Sequence, residues 1–371
     1  MTEALKLWVY FGDSQLTRAE LTSDALMDAL ARRHVAVSAL CRGIEGFGLG
    51  RRIHTERFPD ISTDLPLVAC AVDSRERIQA LLDDVDREVP DGLVTLEHAR
   101  LARGEEVAEA EFPREPGRAA KLTIYCGRLE RAAISRRPAY REAVEVLRRH
   151  GAAGATTLLG VDGTYHGWRR RATFSSPRRD APLMIISVGR RETLAAALPD
   201  LSEALEWPVV TLEGIAQLKH DGAQLEKLPS AADLDPRGLA VWQTIRVYTR
   251  QSAQVNGRAL YTELTRRLRE AGAAGVTTIR GHWGFSSDER PYGDKLARFT
   301  SQAPTYTTYI DRPSKAAEVW PIIDELTAEH GIVTSLFVPA YRERRGEHVG
   351  GGLRLAEIIP PWRRTSPPAP S

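Results

Sequence analysis

The stretch Arg42-Gly43-Ile44-Glu45-Gly46-Phe47-Gly48 follows the apolar run Val35 to Cys41, which is too short for a helix, so its glycines stand where a strand gives out into a loop. Three glycines in six positions let backbone approach something that a Cβ would exclude. Arg42, Arg51 and Arg52 beside them supply planar, forked cationic donors suited to carboxylate or phosphate oxygens, and the stretch runs on to His54. An anion site is the first expectation, and a glycine loop with solvated arginines is the plain alternative. The construction returns as Gly160-Val161-Asp162-Gly163-Thr164-Tyr165-His166-Gly167 and as Gly281-His282-Trp283-Gly284-Phe285.

Other markers repeat in the same order. Leu5-Lys6-Leu7-Trp8-Val9-Tyr10 recurs as Ala120-Lys121-Leu122-Thr123-Ile124-Tyr125, and more faintly as Thr244-Ile245-Arg246-Val247-Tyr248. Pro66 and Thr95 return as Pro182 and Thr211 and as Pro304 and Thr334, at nearly constant spacing. The chain therefore divides into unit one (1–103), a linker (104–119), unit two (120–219), a linker (220–240), unit three (241–345) and a largely disordered tail (346–371). Each unit reads as strand, helix, strand, glycine loop, strand, helix, strand. Leu260, Leu264 and Leu268 set one helical stripe that stops at Gly272, and Gly151 holds the same place in unit two. His34 stands there in unit one, so that helix is expected to end differently. The second helices are expected to begin at Asp73 or Ser74, Arg190 or Arg191, and Pro313 or Ser314.

Two strand–helix–strand halves give an α+β, ferredoxin-like (βαββαβ) unit, a four-stranded antiparallel sheet with both helices on one face. In the first strand Leu5, Leu7, Val9 and Phe11 face one way, and Lys6, Trp8 and Tyr10 the other. A sheet that is apolar on its bare face as well needs a second partner. Three tandem units supply it by packing those faces about one axis, which predicts a single-chain pseudo-trimer, monomeric as a chain.

At 371 residues, with 42% hydrophobic and 27% charged residues, the composition is that of a globular protein. A net charge of +2 gives no argument for nucleic acid. No apolar run reaches membrane-span length and no signal-peptide pattern opens the chain, so the cytoplasm is the expected compartment. Cys41, Cys70 and Cys126 sit in apolar runs without paired spacing and read as core thiols.

The string Arg-Gly-x-x-Gly-Phe-Gly, then Arg51-Arg52-Ile53-His54-Thr55 and Asp64-Leu65-Pro66, closely resembles the PII-like family catalogued as domain of unknown function 190. Unit three carries the resemblance at Gly281, Trp283, Gly284 and Phe285, and unit two mainly in its strands and glycines. The resemblance implies a trimeric assembly similar to PII signalling proteins and to the copper-tolerance proteins. It implies that adenine nucleotides (ATP, ADP or AMP) bind in clefts between units as regulatory ligands, and that the loop after the second strand signals to a protein target. Some relatives are encoded beside fluoride exporters, which makes a membrane transporter or channel a candidate target. Carried over by position, the site residues are Gly43, Gly46, Phe47 and Gly48, Gly160 and Gly163, and Gly281, Gly284 and Phe285.

The loops differ between units. Unit two lacks a histidine at the position of His54 and offers Arg169, Arg170 and Arg171 with Arg178 and Arg179; unit three offers Asp288, Glu289 and Asp294 around Arg290. One or two competent clefts are expected rather than three. The glycine loop is neither a P-loop nor a dinucleotide fingerprint, since no helix opens after it. His54 lacks a second ligand at metal spacing, and Trp283 and Phe285 could stack on a base or pack a core edge. No nucleophile–base arrangement stands out, so the expected function is a non-enzymatic regulator that binds a small anionic metabolite. The alternatives are a ligand-independent adaptor using the arginines of unit two, and a metal-responsive trimer.

Overall fold

The structure is a computed structural model that describes residues 1–48, 52–56, 64–113, 118–171, 181–287, 290–293 and 302–358. Six α-helices and a majority of strands form a mixed α+β protein of three repeated units among these residues. Unit one runs through strand Thr2–Gly12, helix Thr22–Arg32, strands Val37–Phe47 and Pro66–Ser74, helix Arg75–Glu88 and strand Gly92–Arg103. The third strand pairs with the second and the first, and the first with the fourth, all antiparallel. Unit two repeats the plan from Ala119–Gly127 to Val209–His220, and unit three from Trp242–Arg250 to Ile332–Val338.

Period-two alternation places the side chains. Leu5, Leu7, Val9 and Phe11 share a core with Leu26 and Leu30 of the first helix and Ile78 and Leu81 of the second. Each fully buried side chain of this kind is worth about 1.5–3 kcal/mol. Trp8 turns to the opposite face and joins a cluster drawn from all three units, with Val68, Val72, Met184, Ile186, Tyr306 and Ile332. The bare sheet faces are therefore covered by one another. The three cysteines are buried and free, and burial raises the Cys70 thiol to about 12.

The face expected to be apolar has charges at its heart. Lys6 Nζ lies 2.5 Å from Glu213, Lys121 Nζ lies 2.8 Å from Glu213 and 3.6 Å from Glu97, and Arg246 pairs with Glu97. All five residues are at most 2% exposed.

Strand edges join the units in two closed cycles. The second strand of unit one pairs with that of unit two and with Val276–Arg280 of unit three, while Trp283–Ser286 of unit three pairs with unit two. The fourth strands of units one and two pair together, the latter pairs with Ile332–Val338, and Ala340–Arg345 returns to unit one.

Three expectations need correction. His34 does not end its helix differently: it takes φ +50, the left-handed conformation that Gly151 (φ +79) and Gly272 (φ +84) take. A side chain there costs roughly 1–2 kcal/mol, and the His34 ring is held by Trp168, edge-on at 5.6 Å. Residues of the first linker are not a simple connector, because Val107, Ala110 and Phe112 pack into the unit-two core. The tail also begins ordered, since His348–Gly352 pairs with Ala340–Arg345 as a hairpin; residues 359–371 lie outside the described residues.

The second linker is pinned at Asp235, whose carboxylate accepts from the backbone N–H groups of Arg237, Leu239 and Glu357 at 2.8, 2.8 and 2.9 Å. Asp235→Ala removes three acceptances at once. Limited proteolysis of that variant is expected to cut within 220–240 several-fold faster than in the parent, and equal rates would show that the segment is held elsewhere. Among the described residues no helix is long and apolar enough to cross a membrane.

Candidate functional site

The repeated glycines hold strands together. A Cβ on Gly46, Gly163 or Gly284 would lie 2.6, 2.1 and 2.1 Å from the carbonyl oxygens of Val276, Ser38 and Ala155, each in the neighbouring unit. Gly43, Gly160 and Gly281 sit as tightly against Pro66, Pro182 and Pro304, at 2.7, 2.4 and 2.6 Å. The close approach read from the sequence is real, and the approaching atoms belong to neighbouring strands: backbone carbonyls at Gly46, Gly160, Gly163 and Gly284, and proline rings at Gly43 and Gly281. Gly48 differs, because a Cβ there would meet nothing within 4 Å among the described residues.

Phe47 and Phe285 cross the seams as anchors. Phe47 of unit one lies in the core of unit three with Leu264 and Val276, and Phe285 of unit three lies in the core of unit two with Tyr140. Trp283 is half-buried beneath the Arg141 guanidinium at 4.7 Å. Arg42 extends outward, its side chain 58% exposed and 3.6 Å from Asp13. Burial lifts the Asp13 carboxyl above its ordinary range while Arg42 opposes the shift. Arg52 and Arg170 are exposed. Arg169 is bound into an ion cluster with Asp24, Asp28 and Asp162, in which Arg171 also pairs with Asp24 at 2.8 Å. Arg51, Arg178, Arg179, Asp288, Glu289 and Asp294 lie outside the described residues.

The seam between units one and three opens into a cavity of about 420 Å³. Its floor follows a row of strand ends in unit one: Gly46 to Gly48, Pro66, Tyr10 to Gly12 and Asp91 to Leu93, then Tyr341 and Glu343 to Arg345 of the hairpin. Five adjacent strands give a groove about 19 Å long at four strand spacings. Unit three closes it with Ala274 to Thr277, Thr308 and Ile310. His54 and Asp64 stand toward one end and Arg344 and Arg345 toward the other; of the aromatic residues in the lining, Phe11, Phe47 and Tyr341 are buried and Tyr10 is half-buried.

The cavity's three carboxylates are already engaged. Asp64 accepts from the Ser14 N–H at 3.0 Å and hydroxyl at 2.8 Å, Asp91 from the Gly346 N–H at 2.6 Å, and Glu343 from the Tyr341 hydroxyl at 2.7 Å. Tyr341 is itself fixed by stacking on Trp242. The matching space between units two and three has shrunk to about 10 Å³, too small for more than a water, with Ile332 and Tyr292 among its walls. Among the described residues no group of three or more His, Cys, Asp and Glu could hold a metal ion.

Of the sequence-derived set, Gly46, Phe47, Gly48 and His54 line the cavity. Gly43, Gly160, Gly163, Gly281, Gly284 and Phe285 serve packing between strands or units, and Arg42, Arg169 and Trp283 are engaged elsewhere. Sequence reasoning missed Tyr10, Asp64, Asp91 and the hairpin residues as lining groups.

Three copies of one strand–helix doublet, joined edge to edge around a shared core, make a repeat protein whose seam between units one and three is open among the described residues. The family DUF190, described as Uncharacterized ACR, matches at residues 4–101, 119–217 and 242–339, and the chain belongs to that family. The matches end just before Ala340, so the hairpin that supplies Tyr341, Arg344 and Arg345 lies beyond the third of them.

Proposed function

We propose that this protein is a single-chain pseudo-trimer of ferredoxin-like, PII-like units that binds a small anionic metabolite, an adenine nucleotide, in the cleft between units one and three. It acts as a regulator, passing the state of that cleft to a protein target through the segment after Gly48. The observation that carries the reading is the open, elongated groove at one seam, with half-buried Tyr10 in its lining for a planar base and, for a phosphate end, Arg345 and Arg344, the latter 3.9 Å from Asp86. The strand order within each unit and the two closed cycles of edge pairing support the assembly.

Calorimetry of the full chain against ATP, ADP and AMP tests this. One equivalent per chain is expected, and no heat from any of them at millimolar concentration rejects the reading. Gly48→Trp places an indole in open space beside the cleft and is expected to weaken binding at least about tenfold, or roughly 1.4 kcal/mol, with little change in Tm. Arg42→Ala is expected to leave affinity unchanged, since Arg42 does not line the cavity.

A further inference from the structure

We propose that the charge cluster shared by the three units holds a small inorganic anion beside Arg246, at a site separate from the cleft and independent of what the cleft binds. Among the described residues Lys6, Lys121 and Arg246 pair with two carboxylates, Glu97 and Glu213, all five at most 2% exposed. The other titratable groups around them are neutral, because burial raises Tyr10, Tyr125, Tyr248, Tyr306 and the Cys70 thiol. One positive charge is left without a counter-charge, and an uncompensated buried charge is strongly unfavourable.

Unpaired donors lie at the same place. Arg246 Nε, Trp8 Nε1 and the Tyr10 hydroxyl are buried without a hydrogen-bond partner among the described residues, as are the Tyr248 and Tyr306 hydroxyls and Glu97 Oε2. The Arg246 guanidinium sits 5.8 Å from the Trp8 ring centre, and Trp8 stacks on Tyr10 and on Tyr306 at 6.5 Å in each case. A water molecule could accept from these donors but would leave the charge; an anion answers both.

The register explains how the imbalance arose. Lys6 faces Glu97 and Lys121 faces Glu213 across neighbouring strands, while the matching pair in unit three is Thr244 and Leu336. Arg246 stands where the sister units have Trp8 and Thr123, so unit three brings a cation and no carboxylate. Tyr10 also lines the cleft, which places it between the cluster and solvent.

The test uses the full chain, with sodium chloride replacing sodium gluconate at constant ionic strength. Tm is expected to rise by about 3 °C between about 1 and about 100 mM chloride, following one-site linkage. Crystals soaked in bromide are expected to show an anomalous peak within hydrogen-bond reach of Arg246. Arg246→Met removes the surplus charge while Lys121 still serves Glu97, and should abolish the chloride response. Leu336→Glu supplies the third carboxylate and should do the same if the first variant does not fold. Equal Tm in chloride and gluconate with no bromide peak overturns the proposal, as does an undiminished response in either folded variant.

Discussion

Replacing Glu213 with leucine is expected to lower the unfolding free energy by about 3–5 kcal/mol, the usual cost of removing one partner from a buried ion pair. Glu213 is the acceptor for both Lys6 and Lys121, which it meets at 2.5 and 2.8 Å in the shared core. Without it Lys6 keeps only the Thr123 hydroxyl, at 3.2 Å. Burial opposes the charged carboxylate, but the Lys121 and Lys6 ammonium groups outweigh it and hold Glu213 below its ordinary value of 4.5. A carboxyl depressed in this way contributes stability that is complete above the unfolded value and lost as pH falls through the folded one. The parent is therefore expected to lose stability progressively below about pH 4.5, and the variant to lose less over the same range. Urea denaturation of both proteins at pH 7 and pH 3.5 measures the difference. A cost below about 1 kcal/mol at pH 7 would show that the lysines do not depend on this carboxylate.

Gly163→Val should be nearly as damaging. A Cβ at Gly163 would stand 2.1 Å from the Ser38 carbonyl oxygen and 3.0 Å from the Ala39 Cα, both backbone atoms of another unit. Neither can yield without breaking the pairing between the second strands of units one and two, where Ala39 faces Gly163. A loss of about 3 kcal/mol is expected, with earlier hydrogen exchange along Val37 to Cys41. The same exchange at Gly48→Val is expected to cost less than about 0.5 kcal/mol, because none of the described residues lies within 4 Å of that Cβ position. Similar losses at the two glycines would mean that close approach is not what distinguishes them.

The repeat was legible because each unit keeps the same marks at the same strand ends. Pro66, Pro182 and Pro304 open the third strands, and Thr95, Thr211 and Thr334 fall in the fourth. The alternation in Leu5 to Phe11 was enough to separate the two faces of the first sheet. The charges at the centre were not, because Lys6 meets Glu213 and Lys121 meets Glu97 across units, at separations that no local pattern marks. Lys6 and Lys121 did carry a signal, as cations at one matching position of two otherwise apolar strands.

The glycines were read as points of close approach, but a sequence does not say whether the approaching atom belongs to a ligand or to a neighbouring strand. The cavity itself depends on Tyr341, Arg344 and Arg345, whose hairpin reads as charged, glycine-rich tail. Its partner strand is Gly92–Arg103, some 250 residues earlier, and no local pattern points there.

The inequality of the seams sets how this protein can respond to concentration. Identical sites in a ring can influence one another, and saturation can then be steep or staggered. Here the space between units two and three has room for about 10 Å³ against about 420 Å³ at the open seam, which leaves that occupant no matching vacancy there to communicate with. Saturation should trace a simple hyperbola with a Hill coefficient of about 1, making the molecule a graded gauge rather than a threshold switch.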